Sequence, residues 1–180
     1  MQMQLAWQII IAFVLSFSAA YFVVKVIDVV RSGSAPKIQT PALDFAQLNE
    51  LIAPKPGELI TELGCGNGKF LKFIATKNPN TKFIGMDNGL IAVMTARAQL
   101  ISTKNVKIRL ADIAKQQKFS GTKFYGYLSP SLISLIAQKL PRGARLISLE
   151  YAADGMKPLK VIKLNNPTKL VSKVYIYKIS

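Results

Sequence analysis

The stretch Glu62-Leu63-Gly64-Cys65-Gly66-Asn67-Gly68 constrains this chain more than any other. It lies between an apolar run, Gly57 to Thr61, and a segment from Lys69 to about Lys77 whose apolar residues recur at helical spacing. Glycines at alternate positions after a strand let the backbone turn with positive φ. They also let a ligand approach the main chain where a Cβ would collide. A helix that starts straight after the loop presents free N–H groups, which favour a polar or anionic ligand group. Two common nucleotide loops do not fit. A Walker loop needs glycine at position 63 and Ser or Thr at position 70, where this chain has Leu63 and Phe70. The dinucleotide fingerprint G-x-G-x-x-G needs a glycine where Lys69 stands.

Composition removes several chemistries. Histidine is absent, so histidine acid–base catalysis, Ser-His-Asp triads and histidine-ligated metal are excluded. The lone Cys65 rules out an internal disulfide and a cysteine zinc site, so no metal is expected. Inside the glycine loop it reads as a small packing residue rather than a nucleophile. The net charge of +15 draws the chain to anionic lipid, nucleic acid or an acidic protein surface, without saying which.

Met1 to Val24 carries no charged side chain, and Leu5 to Val24 is almost continuously apolar. As a helix it would reach about 36 Å, against a hydrocarbon core of about 30 Å. Trp7 and Tyr21 sit near its ends, as interfacial aromatics do. A cleaved signal peptide would carry a basic residue ahead of a shorter apolar segment, and no Lys or Arg precedes Lys25. The expectation is an uncleaved anchor, with residues 5–30 in the plasma or inner membrane. Positive charge lies on the C-terminal flank at Lys25, Arg31 and Lys37, which places the N-terminus outside and the domain in the cytoplasm.

Arg31 to Pro36 reads as a short polar linker. Thr40-Pro41 then precedes a helical pattern of Leu43, Ala46, Leu48, Leu51 and Ile52, with Asp44 in its first turn and an end at Pro54 to Gly57. This helix is expected beside the glycine loop. Strand and helix alternate from there: strands at Glu58–Leu63, Thr81–Met86, Asn105–Leu110, Lys123–Leu128 and Ala144–Tyr151, helices at Lys69–Lys77, Leu90–Leu100 and Ser131–Leu140. Such alternation argues for an α/β, doubly wound, mostly parallel sheet. Two β-rich runs, Leu159–Leu164 and Lys169–Ile179, flank Asn165-Asn166-Pro167-Thr168 and read as an antiparallel hairpin. No helix fits between Tyr151 and Leu159. The expected organisation is anchor and flank over 1–31, linker and pre-loop helix over 32–56, and one domain over 57–180.

Asp87 ends the second strand about twenty residues beyond the loop. In a doubly wound sheet that brings its carboxylate to the switch-point crevice, where it can accept hydrogen bonds from ribose hydroxyls. Glu62 and Asp112 also stand at strand ends, and the chain has only nine acidic residues. A random scatter would rarely set three of them there. An acidic residue followed by G-x-G-x-G resembles motif I of the class I, seven-β-strand, S-adenosylmethionine-dependent methyltransferases, and the resemblance spans about Leu51 to Ile179. It implies S-adenosylmethionine as cofactor, held by Gly64, Cys65, Gly66, Asn67 and Gly68. It places Glu62 beside the cationic methionine moiety, Asp87 and Asn88 at the ribose, and Asp112 and Ile113 at the adenine.

A narrower likeness combines the N-terminal apolar helix, Thr40-Pro41 before the loop, Tyr127-Leu128-Ser129-Pro130 after the fourth strand and the hairpin tail. This combination resembles the membrane-anchored protein lysine methyltransferases that modify the ATP synthase c-subunit and the adenine nucleotide carrier, and their short prokaryotic relatives. It implies Thr40 at the cofactor and lysine on a membrane protein as acceptor. A lysine amine must lose its proton before it attacks, since its ordinary pKa is about 10.4. Tyr127, Ser129 and Glu150 are the candidate proton acceptors, with Pro130 shaping their turn. The Asp/Asn-Pro-Pro-Tyr motif of nucleic-acid amino methyltransferases is absent, and no aromatic-interleaved basic stripe appears. A nucleic-acid partner is therefore disfavoured. A lipid, small-molecule or RNA acceptor, and a tethered domain that binds without catalysis, are the alternatives.

Overall fold

The computed structural model describes residues 2–32, 40–165, 167 and 171–180. Lys37, linker residues 33–36 and hairpin positions Asn166, Thr168 and Lys169 lie outside the described residues, as do the side chains of Arg31 and Leu43. In chain order the elements are α1 (Gln2–Ser32), a 3-10 turn (Ala42–Asp44), α2 (Phe45–Ile52), β1 (Leu59–Leu63), α3 (Lys69–Lys77), β2 (Lys82–Asp87) and α4 (Leu90–Gln99). There follow β3 (Val106–Leu110), β4 (Lys123–Gly126), α5 (Pro130–Ala137), β5 (Arg145–Leu149), β6 (Lys160–Lys163) and β7 (Lys173–Lys178).

The strands form one seven-stranded sheet in the order β3-β2-β1-β4-β5-β7-β6. Every pair from β3 to β5 is parallel, and β7 runs antiparallel to both β5 and β6. The chain therefore winds outward from β1 in both directions, and the hairpin closes one edge. The order reverses between β1 and β4, which opens a crevice at the carboxyl ends of those strands.

The central strands are largely buried because both of their faces are covered. Their side chains alternate between two cores, as the two-residue period of a strand requires. Ile60, Phe83, Tyr125, Ile147 and Leu149 pack with Leu48 and Ile52 of α2, Phe70, Leu71 and Ile74 of α3, and Val93 and Ala96 of α4. Leu63, Ile84, Met86, Phe124 and Leu146 pack on the other face with Ile133 and Ile136 of α5. Glu62 and Tyr127, two residues along from Ile60 and Tyr125, therefore face the side of α2 and α3.

β4 and β5 end sooner than their apolar runs suggest. β4 stops at Gly126 instead of continuing to Leu128, and Pro130 becomes the first residue of α5. β5 stops at Leu149 because Glu150 takes a left-handed conformation, φ 65°, and the chain turns back with Tyr151 N donating to Leu149 O. The helix expected through Leu140 ends at Ala137. Between Tyr151 and Leu159 the chain has no helix.

The apolar N-terminal segment is a single helix, with a span of 25 residues, Met3 to Ile27, long and apolar enough to cross a membrane. Its large side chains are exposed along its length, including Phe13 and Phe17 at 76% and 73%. Lys25 folds back over the Tyr21 ring, 5.9 Å from its centroid. Full exposure on all sides separates α1 from an ordinary core helix.

Candidate active site

The glycine loop is strapped to the end of β2. Gly64 N and Cys65 N both donate to Met86 O, at 2.8 and 2.9 Å. Gly66 N donates to Asp87 Oδ2 at 2.8 Å, and Gly89 N donates to Asp87 Oδ1 at 2.8 Å. Asp87 thus joins the loop to the start of α4, a structural role beyond any contact to a ribose. Gly66 has φ 53°, and a Cβ built there would meet nothing within 4 Å. The bare main chain at Gly66 therefore borders open space, as a loop that receives a ligand requires. Gly85, in β2 below the loop, has a different reason to be glycine. A Cβ there would lie 2.4 Å from Leu71 Cδ1 and 2.9 Å from Cys65 Sγ. Cys65 itself is buried, and burial followed by the charges of Glu62 and Asp87 pushes its thiol far above the ordinary range. It is an inert packing group.

Above the loop lies a cleft of about 400 Å³, counting space open to solvent. Its lining includes Thr40, Glu62, Gly64, Cys65, Gly66, Asn67 and Tyr127, all singled out by the sequence, together with Phe45, Lys69 and Phe70, which were not. The aromatic members form a packed wall. Phe45 meets Phe70 at 5.1 Å between centroids, Phe70 meets Tyr125 at 4.8 Å, and Tyr127 stacks on Tyr151 at 6.1 Å. The Tyr125 hydroxyl is 2.7 Å from Thr40 Oγ1, which ties the segment before α2 to β4.

Glu62 carries the electrostatic character of the cleft. Its side chain is 7% exposed, and Oε2 is buried with no hydrogen-bond partner. Burial, and then the nearby Asp87 charge, hold its carboxyl well above the ordinary carboxylate range. An acid in this state is costly unless a donor or cation reaches it. The sulfonium and ammonium of S-adenosylmethionine would supply the missing positive charge, and Lys69 at the start of α3 suits its carboxylate. The residues present therefore fit that group.

The other residues named from the sequence sit further out. Gly68, φ 79°, turns the chain into α3 and packs towards Ala96 of α4 and Leu100 just beyond it rather than lining the cleft. Asn88 is half-buried beside Asp87. Asp112 follows β3, where its Oδ1 accepts from Ala114 N at 3.1 Å and its Oδ2 pairs with Lys115 at 3.6 Å. The Ile113 side chain packs in the α5-face core, away from the cleft. Ser129 is exposed at the start of α5, with its hydroxyl 3.4 Å from that of Ser131, and neither it nor Pro130 lines the cleft.

Glu150 requires correction as a proton acceptor. Its Oε2 accepts from Ser172 N at 2.5 Å, from Ser172 Oγ at 3.1 Å and from Lys173 N at 3.1 Å. The left-handed turn at Glu150 directs the carboxylate to β7, where it locks the hairpin to the end of β5. Tyr127 remains in the cleft, its hydroxyl pushed up by burial, then by Tyr151 and Glu150.

Among the described residues, no group of three or more Cys, Asp or Glu is placed to hold a metal ion. The crevice, loop and closing hairpin together are those of the class I S-adenosylmethionine-dependent methyltransferase fold. A family model described as "Putative methyltransferase" matches residues 56–121, the stretch that runs from before β1 past β3 and carries Glu62, the loop, Asp87 and Asp112. No curated protein matches the sequence.

Solved structures share the fold. An RNA methyltransferase from Salinibacter ruber, in complex with S-adenosyl-L-homocysteine, aligns with TM-score 0.68 at 20% identity, over 79% of this chain and 94% of that one. A SAM-dependent O-methyltransferase from Thermotoga maritima aligns with TM-score 0.64 at 13% identity, over 86% and 71%. An N-methyltransferase from Bradyrhizobium japonicum aligns with TM-score 0.60 at 10% identity, over 76% and 94%. At 10–20% identity the likeness is one of fold.

Proposed function

We propose that this chain is a membrane-anchored S-adenosylmethionine-dependent methyltransferase that methylates lysine on a membrane protein. The observation that carries the cofactor assignment is Glu62: a buried carboxylate oxygen without a partner, on the wall of a cleft floored by bare glycine main chain. The cofactor supplies an electrophilic methyl group on a cationic sulfur. Glu62 balances positive charge beside the loop, Lys69 receives the amino-acid carboxylate, and Asp87 fixes the loop while standing at the ribose side. The aromatic wall of Phe45, Phe70 and Tyr127 excludes water and suits a cationic or alkyl-ammonium group. What remains for the protein is alignment of acceptor and methyl, which is worth several kcal/mol in such a displacement.

The anchor supports a membrane target. With α1 spanning the bilayer, N-terminus outside, the cleft would sit on the cytoplasmic side. Tethering would raise the effective concentration of acceptors held in the same membrane. Incubating the full-length protein in native membranes with methyl-tritiated cofactor tests the acceptor. Label in protein, released as methyl-lysine on acid hydrolysis, is expected. Label confined to extracted lipid or to RNA would overturn the lysine assignment.

A further inference from the structure

Helix α4 has two apolar faces. Val93 and Ala96, with Leu100 just beyond the helix, are buried in the core that α4 shares with the sheet. Met94, Ala98 and Ile101 recur at helical spacing on a second face, and all three are exposed, Met94 at 58% and Ile101 at 88%. An apolar stripe left in solvent on a helix whose core face is already filled marks a surface that meets something else. Its surroundings are basic. Arg97 stands beside the stripe, where its Nη2 donates to Ile108 O at 3.3 Å, and Lys104 follows the stripe in the chain. Lys72 is exposed on neighbouring α3. Neither α3 nor α4 holds an acidic residue, and none occurs from Asn88 to Ala111.

The apolar N-terminal helix α1 touches α4. Within α1, Val24 is half-buried, and Val26 and Ile27 are less exposed than the large apolar side chains before them. These residues form the last turn of the apolar span, which runs for 25 residues from Met3 to Ile27. A helix of that length reaches about 37 Å, more than the hydrocarbon thickness of about 30 Å, so its last turn extends to headgroup level. A contact there sets the exposed stripe of α4 at the same height.

We infer that the outer face of α3 and α4 docks on an anionic bilayer surface beside α1, with Met94 and Ile101 entering the headgroup layer and Lys72, Arg97 and Lys104 binding lipid phosphates. This rests on the reading of α1 as a membrane anchor. Apolar side chains on such a face reach the boundary of the acyl chains, and each basic residue near the anionic surface adds to the attraction. The docked face also positions the cleft. Gly89 N donates to Asp87 Oδ1, so α4 begins at the residue that straps the glycine loop. With α4 flat on the bilayer, the carboxyl ends of β1 and β4 point along the membrane plane, and the cleft opens sideways at headgroup depth. The acceptor within its reach is a group at that depth, such as a lysine just outside a transmembrane segment.

The test uses the full chain in vesicles of phosphatidylcholine and phosphatidylglycerol whose acyl chains carry bromine, a short-range quencher of tryptophan fluorescence. Trp7, the single tryptophan, reports on the anchor in the wild type. Trp7→Phe with Ile101→Trp reports on the docked face, and Trp7→Phe with Met94→Trp gives a second position in the same stripe. Trp7→Phe with Leu135→Trp is the comparison, because Leu135 is exposed on α5, which covers the opposite face of the sheet. Quenching is expected for Trp7, Ile101→Trp and Met94→Trp but not for Leu135→Trp, and the two stripe positions should lose it when phosphatidylglycerol is left out. Adding Lys72→Gln and Lys104→Gln should weaken docking about 30-fold, read from quenching as the anionic share is varied, with Trp7 in the otherwise unchanged chain still quenched. Unquenched stripe positions beside a quenched Trp7 would overturn the docked face and leave the anchor standing. Equal quenching of Ile101→Trp and Leu135→Trp would overturn it as well. An unquenched Trp7 would remove the anchor reading and this inference with it.

Discussion

Replacing Asp87 with Asn should loosen the glycine loop and cost cofactor affinity through the main chain. One carboxylate oxygen accepts from Gly66 N and the other from Gly89 N, both at 2.8 Å. An amide offers one acceptor and one NH₂ group, so in either orientation one backbone N–H faces a donor. Losing one charge-assisted hydrogen bond costs about 1.5–3 kcal/mol. Asp87 is half-buried, so water recovers part of the loss and the lower end, about 1.5–2 kcal/mol, applies. At about 1.4 kcal/mol per decade this weakens binding about 10- to 30-fold if the bound loop needs both ties. Calorimetric titration of S-adenosylhomocysteine into wild type and variant, with melting of the free proteins alongside, measures both effects. Affinity within twofold and an unchanged melting temperature would refute the strapped-loop reasoning.

Further outcomes follow from the same geometry. Glu62 is held well above its ordinary value of 4.5 in the folded chain, so its contribution to stability is full below that value and lost as pH rises through the raised folded one. Glu62→Gln should flatten that part of the pH–stability curve of the ligand-free protein and weaken cofactor binding; a curve parallel to the wild type would point to another group. Cys65, 6% exposed with its thiol pushed up, should react with Ellman's reagent about 100-fold or more slowly in the native protein than in denaturant, and comparable rates would show an open loop. Lys123 Nζ lies 2.7 Å from Glu58 Oε2 and 2.5 Å from Ala53 O, joining the approach to β1 to the start of β4. Lys123→Met should cost about 2–3 kcal/mol in urea unfolding, since both partners are largely buried, and a loss under 0.5 kcal/mol would count against the pair.

Local signals made much of this molecule legible before its coordinates. Alternating glycines after an apolar run place a strand–loop–helix joint at Glu62 to Lys69, because positive φ and close approach are demands of the backbone itself. Asp87 follows from topology once the strands are read. Distance in sequence hid the rest. Glu150 looks like a strand-end acid beside a site, and only the return of β7, bringing Ser172 and Lys173 to it, shows that its oxygens are taken. Phe45 and Phe70 carry no mark of a site in the sequence, yet the docking of α2 against α3 turns their rings to the cleft. Asp44 reads as a favourable first-turn acid, yet the fold buries it with both carboxylate oxygens unpartnered.

The measurement closest to the centre is equilibrium dialysis of the full-length protein, in micelles, against tritiated S-adenosylmethionine. Saturable retention approaching one molecule per chain, displaced by S-adenosylhomocysteine and lost in Gly66→Val, is the predicted result. Retention by the wild type no greater than by Gly66→Val would contradict it.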